Sequence, residues 1–217
     1  MECCAEMKYQ FLNPFGPNIL KLKCPDYLLS GLNRYTESPE SEKYKVSSDL
    51  LERKMDVRYL TESFCKSVGL TEFVEAAGEL YADLVPEELP KLVLGAVPPI
   101  DGRFDVSESI ADVWINRYYS GSYTPIHVHA ASLSGIIILK VPDKPGDLSF
   151  IHGNYLPWVK SEWCPEQEVG DVILFPSWLQ HLVMPQNHDD ERRTLSFNLI
   201  EPKVYSCLLY TSDAADE

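Results

Sequence analysis

Four side chains in the second half of this chain could do chemistry together: His127, His129, His181 and Arg192. The first two lie in Tyr123-Thr124-Pro125-Ile126-His127-Val128-His129, just before the apolar run Leu133-Ser134-Gly135-Ile136-Ile137-Ile138-Leu139. His181 closes Leu174-Phe175-Pro176-Ser177-Trp178-Leu179-Gln180-His181, which follows a Gly170-Asp171 turn. Eleven residues later comes Arg192-Arg193-Thr194-Leu195-Ser196-Phe197-Asn198. Neutral imidazoles ligate Fe(II), Zn(II), Cu(II) or Ni(II), so histidines alone do not choose the metal. Alternation along a strand would put His127 and His129 on one face, close enough to share an ion. A distant histidine on a second strand could close the site, and an arginine beyond it could hold a dicarboxylate co-substrate. The set suggests a mononuclear iron site beside a carboxylate-binding arginine.

The usual non-haem iron oxygenase site has two histidines and one carboxylate, with open positions for oxygen and co-substrate. Two residues after His127, where Asp or Glu would be expected, stands His129. Three arrangements follow. Three histidines bind iron without a carboxylate, the preferred reading; only one of the pair binds and the third ligand lies elsewhere; or the motif begins at His129, with Ala131 in the carboxylate slot. Arg192 and Arg193 are neighbours, so only one can point inward. Arg192 shares a face with Thr194, Ser196 and Asn198, a polar set suited to a carboxylate, whereas Arg193 shares one with Leu195 and Phe197. Arg192 is therefore assigned the bidentate contact, with Ser196 as a helper. The plainer alternative makes both arginines solvated partners of Asp189, Asp190 or Glu191. Tyr118 and Tyr123 precede the histidine pair and could reach the co-substrate. His152 reads as structural, His188 as solvated, and Trp114 and Trp178 as core.

Several elements must position these groups. Residues 9–23 read as an extended lead-in ending in an alternating strand, 19–23, and Pro25-Asp26 starts a helix over 27–35. Residues 37–45 are polar and read as a loop. The span 48–84 is the most helical, with apolar residues three and four apart at 49–52, 57–68 and 71–84, and Thr71 as an N-cap. From residue 106 short β-type runs take over, at 110–119, 134–141, 148–152, 171–175, 181–184 and 193–200, separated by Gly121, Pro142, Gly146, Gly153, Gly170 and Pro185. Such a series implies a sandwich or barrel. The fold class is α+β, mainly β, in one domain over 1–205: a strand and supporting helices over 1–105, then a β core over 106–205.

The chain has 217 residues, 45% apolar and 24% charged, as in an ordinary soluble globular domain. A formal charge of −14 argues against non-specific binding to nucleic acid or anionic membrane. No run of roughly eighteen apolar residues occurs, and no basic region precedes an apolar one at the N-terminus, so neither membrane span nor signal peptide is expected. Cys3, Cys4, Cys24, Cys65, Cys164 and Cys207 form no CxxC pair and read as free thiols in a reducing, cytoplasmic compartment. Residues 207–217 read as an in-frame translation of a transposon-end sequencing adapter. On that expectation the gene is a shotgun or metagenomic fragment, and the tail is set aside. Removing its Asp213, Asp216 and Glu217 takes the charge from −14 to −11, still acidic.

Residues 118–129, Leu133-Ser134-Gly135, residues 170–181 and residues 192–198 together resemble the Fe(II)/2-oxoglutarate-dependent oxygenases. The similarity lies with the prolyl-hydroxylase-like branch, and most with oxygenases common in bacteria and marine tailed phages. It spans about 110–200 and is loose in the N-terminal half. It implies a double-stranded β-helix (jelly-roll) with N-terminal supporting helices. It also implies His127 and His181 as iron ligands, His129 in the usual carboxylate position, and Arg192 on the distal carboxylate of 2-oxoglutarate. The implied reaction consumes O2, releases succinate and CO2, and hydroxylates a C–H bond of a protein side chain or a small metabolite. Two other classes stay open: a three-His cupin-type dioxygenase independent of 2-oxoglutarate, and a non-catalytic metal- or carbohydrate-binding jelly-roll. The substrate and the oligomeric state are not readable from the chain.

Overall fold

The computed structural model describes residues 7–14, 16–46, 55–85, 89–97, 108–143, 148–153, 161–187 and 189–202. Cys3, Cys4, Cys207, His188, the 49–52 segment and the 207–217 tail lie outside them. Along the chain run β1 (Tyr9–Leu12), β2 (Ile19–Lys23), α1 (Asp26–Thr36), α2 (Pro39–Glu42), β3 (Lys45–Val46), β4 (Asp56–Thr61), α3 (Glu62–Ser67) and α4 (Leu70–Leu84). There follow β5 (Val93–Leu94), β6 (Ile110–Tyr118), β7 (Thr124–His127), β8 (Leu133–Lys140), β9 (Leu148–Ile151), β10 (Glu162–Trp163), β11 (Asp171–Pro176), β12 (Gln180–Val183) and β13 (Arg192–Ile200).

Two antiparallel sheets face each other. The larger is ordered β1-β2-β11-β8-β13-β6-β4-β3, with β5 also on β13, and the smaller β10-β9-β12-β7. The larger sheet is covered on both faces, which explains why its central strands read as unbroken apolar runs instead of alternating ones. In β11, Val172 and Leu174 join the cluster containing α1 and α4 residues such as Leu28, Leu32, Val74 and Tyr81. Ile173 and Phe175 join the cluster between the sheets, with Ile136, Ile138 and Phe150. The mainly β jelly-roll with N-terminal supporting helices agrees with expectation. Among the described residues no helix is long and apolar enough to cross a membrane.

Three local expectations need correction. The apolar spacing over 57–68 suggested one helix, but it holds β4 and then α3. Val57, Tyr59 and Thr61 alternate as well, and pairing with β6 (Val57 opposite Asn116, Tyr59 opposite Trp114) decides between the two periods. The Thr61 hydroxyl then accepts the Phe64 N–H and starts α3. Thr71 does not cap α4. Gly69, at φ 78°, takes that place because the chain must turn sharply between two helices there. The 37–45 loop contains α2, a single turn opened by Pro39, and the first residue of β3.

Candidate metal centre

β7 and β12 are neighbours in the smaller sheet, and His127 lies directly opposite His181. β7 ends at His127, so strand alternation does not bring His129 into place as the spacing suggested. Its backbone N–H instead donates to the Ser177 carbonyl (2.9 Å), in the turn between β11 and β12. The hydroxyl of Ser177, fully buried, shares a hydrogen bond with Ser134 (2.7 Å), and Ser134 donates to Asn198 Oδ1 (2.8 Å). Asn198 Nδ2 donates in turn to Asp112 (2.8 Å). One buried polar chain thus ties the turn carrying His181 to the segment carrying His129.

The nitrogens of His127, His129 and His181 lie within 4.8 Å of one another, and this group, the one candidate metal cluster among the described residues, contains no Asp or Glu. His127 Nδ1 bonds the Pro125 carbonyl (2.9 Å), and His181 Nδ1 bonds the Leu179 carbonyl (3.0 Å). A carbonyl only accepts, so each Nδ1 carries the proton and each Nε2 presents a lone pair, the tautomer a metal requires. His129 Nε2 stands 3.2 Å from His181 Nε2, so the rings turn their lone-pair edges together. Burial, reinforced by His127, pushes the His181 imidazolium down to about 3 and that of His129 to about 4. Both are therefore neutral ligands near pH 7. This donor set fits a divalent first-row ion.

A cavity of about 300 Å³ opens from the three histidines to Arg192. Arg192 is fully buried, with its Cζ 5.1 Å from the Tyr118 ring centroid. Its Nη2 donates to Gln167 Oε1 (2.6 Å), while its Nε and Nη1 have no partner among the described residues. Buried guanidinium donors left unsatisfied are costly unless an anion meets them, so the cavity fits a carboxylate at this end. Burial lowers the Arg192 pKa, and Tyr118 opposes the shift. Arg193 points the other way, into an ion cluster with Glu191 (2.7 Å), Asn33 (3.0 Å) and Glu37. Of the two arginines, only Arg192 lines the cavity.

The remaining sequence assignments fall as follows. Tyr118 lines the cavity, and its hydroxyl meets Thr124 (3.0 Å). Ser196 also lines it but lies four residues along β13 from Arg192, roughly 13 Å of extended strand, and takes a hydrogen bond from Asn116 (3.2 Å). Thr194, buried and next to Arg192 on the same face, is the nearer hydroxyl. Trp114, expected in the core, is on the cavity wall, stacked on His129 at 5.5 Å. Trp178, also expected in the core, is 57% exposed on the turn before β12, where it meets His152 at 5.5 Å. Tyr123 does not line the cavity. Met55, just before β4, and Val57 and Tyr59 within it do, and were missed because the span 48–84 was read as helical. Gln167 had no sequence signal.

Residues 112–198 match the family model described as "Putative 2OG-Fe(II) oxygenase", a stretch that holds all three histidines and Arg192. No curated protein matches the chain. Among solved structures it is similar to a prolyl-4-hydroxylase from Pseudomonas putida, at 14% identity and TM-score 0.55 over 90% of this chain and 94% of that one. It is also similar to a Trichoplax adhaerens prolyl hydroxylase in complex with a hypoxia inducible factor peptide fragment (11%, TM-score 0.56, 94% and 88%). A third is HygX from Streptomyces hygroscopicus with nickel, 2-oxoglutarate and hygromycin B bound (10%, TM-score 0.56, 85% and 83%). At such identities these structures speak for a shared fold.

Proposed function

We infer, from the family match over residues 112–198 and the likeness in fold, that this chain is an Fe(II)- and 2-oxoglutarate-dependent dioxygenase. It hydroxylates a small metabolite or a protein side chain, and releases succinate and CO2. The observation that carries the reading is the pairing, in one cavity, of three convergent neutral imidazoles with a buried guanidinium that has two free donors. Fe(II), when bound, supplies the oxygen activation that oxidises 2-oxoglutarate and hydroxylates the substrate.

The residues divide the remaining work. His127, His129 and His181 hold the ion, and the Pro125 and Leu179 carbonyls fix the orientation of two of the rings. Arg192 binds the distal carboxylate through donors that Gln167 leaves free, and the buried site makes that pairing worth more than it would be in water. Thr194 and Tyr118 flank it. Met55, Val57, Tyr59 and Trp114 form an apolar and aromatic wall that keeps water from the reacting centre and leaves room for an uncharged part of the substrate. One of the similar structures is in complex with a hypoxia inducible factor peptide fragment and another has hygromycin B bound, so peptides and small molecules both belong in a first screen.

The absence of a carboxylate from the metal cluster favours one second reading, a three-His dioxygenase that does not use 2-oxoglutarate. An anaerobic Fe(II) titration with and without 2-oxoglutarate separates the two. The expected result is a visible metal-to-ligand charge-transfer band that needs both components, vanishes in His181→Ala and weakens about a hundredfold in 2-oxoglutarate affinity in Arg192→Ala. Tight Fe(II) binding with no band would favour the second reading.

A further inference from the structure

We propose that Gln167 is a positioning residue for the co-substrate arginine: it takes one Nη2 hydrogen of Arg192 and fixes the guanidinium plane so that the remaining donors face the carboxylate. The proposal rests on the reading of Arg192 given above. Gln167 lies in the segment between β10 and β11, and its Oε1 accepts from Arg192 Nη2 at 2.6 Å. Because arginine only donates, the amide must turn its oxygen to the guanidinium. The Tyr118 ring lies against the guanidinium at 5.1 Å, and Nε and Nη1 remain free. Arg192 is therefore held at Nη2 and packed against an aromatic ring, with the remaining donors available to ligand.

The segment around Gln167 is itself anchored on both sides. Lys21 Nζ donates to the Glu166 carbonyl (2.9 Å). Lys23 pairs with Glu168 (2.8 Å), and the Glu168 N–H donates to Asp171 Oδ2 (2.8 Å). Asp171 in turn pairs with Lys21 (2.9 Å) and Lys23 (2.6 Å). Glu166 and Glu168 are thus fastened to β2, and the side chain between them reaches inward. The chemical type matters too. A neutral amide satisfies one N–H group without cancelling the guanidinium charge, whereas a carboxylate there would compete with the ligand for it.

The test compares Gln167→Met, which keeps the length but removes the acceptor, with Gln167→Glu, which keeps the acceptor and adds charge. Each Fe(II)-loaded protein is titrated anaerobically with 2-oxoglutarate through the charge-transfer band, and its thermal melt is recorded without ligand. Gln167→Met is expected to raise the 2-oxoglutarate Kd about tenfold. Gln167→Glu is expected to melt at or above the parent and yet bind 2-oxoglutarate more weakly than Gln167→Met. Fe(II) uptake is expected to stay unchanged in both. Affinities within about twofold of the parent in both variants, or a Gln167→Glu protein in which melt and affinity recover together, would overturn the proposal and reduce Gln167 to loop packing. Weakened Fe(II) uptake would also count against it. If the parent itself gives no band, the reading of Arg192 fails first and takes this proposal with it.

Discussion

At the scale of single residues, the centre is governed by what burial does to imidazole. A free histidine titrates near 6.5, whereas burial pushes His129 to about 4 and His181 to about 3. Both shifts are downward, so in the metal-free protein the unfolded chain binds more protons than the folded one below pH ~6.5. The stability available above that pH is lost as the pH falls toward the folded values. Urea unfolding of the metal-free protein should therefore lose on the order of 1–3 kcal/mol per pH unit between pH 6.5 and 4.5. The slope should shrink in His181→Ala. A pH-independent midpoint across that range would contradict the burial of these rings. Arg193 illustrates the opposite outcome for a charged group: the Glu191 and Glu37 carboxylates and the Asn33 amide satisfy it on the far side of β13, which leaves the cavity to its neighbour.

At the scale of elements, β8 and the turn after β11 do the positioning. Gly135 faces Phe197 across β8 and β13, and a Cβ added there would come within 2.1 Å of the Phe197 ring. Phe197 is fully buried and has nowhere to move. Gly135→Ala should therefore destabilise the protein by about 1–3 kcal/mol through overpacking, read as a lower urea midpoint. A parent-like midpoint would mean that the β8–β13 contact is looser than described. The same glycine lies on the wall of the metal cavity, so the substitution should also weaken metal binding. At the turn, Ser177 joins Ser134, Asn198 and the His129 backbone. No periodicity in the chain marks this arrangement, because each partner comes from a different strand or loop.

At the scale of the whole molecule, the two sheets close over the cavity, so a ligand bound there stabilises the folded state alone. A divalent ion at about one hundred times its Kd adds about 2.7 kcal/mol, which for a chain of this size raises the melting temperature by roughly 5–10 °C. Chelation should reverse the rise, and a melt indifferent to Fe(II), Ni(II) or chelator would sink the metal assignment. Much of this architecture was legible in the chain. The histidines and Arg192 stand out by type and spacing, and the β runs from residue 110 onward are bounded by glycine and proline, whose backbone restrictions act locally. What the sequence by itself determined were those local properties, the runs, their breaks and the chemical types on one face of a strand. The tertiary structure alone decided that 56–61 is a strand paired with β6, that His129 is aimed by a Ser177 carbonyl beyond the end of β7, and that Gln167 meets Arg192. The physical reason is that each depends on a partner far away in sequence. A period of two or of 3.6 is set by neighbours, whereas register and hydrogen-bond pairing are set by whichever strand the fold brings alongside.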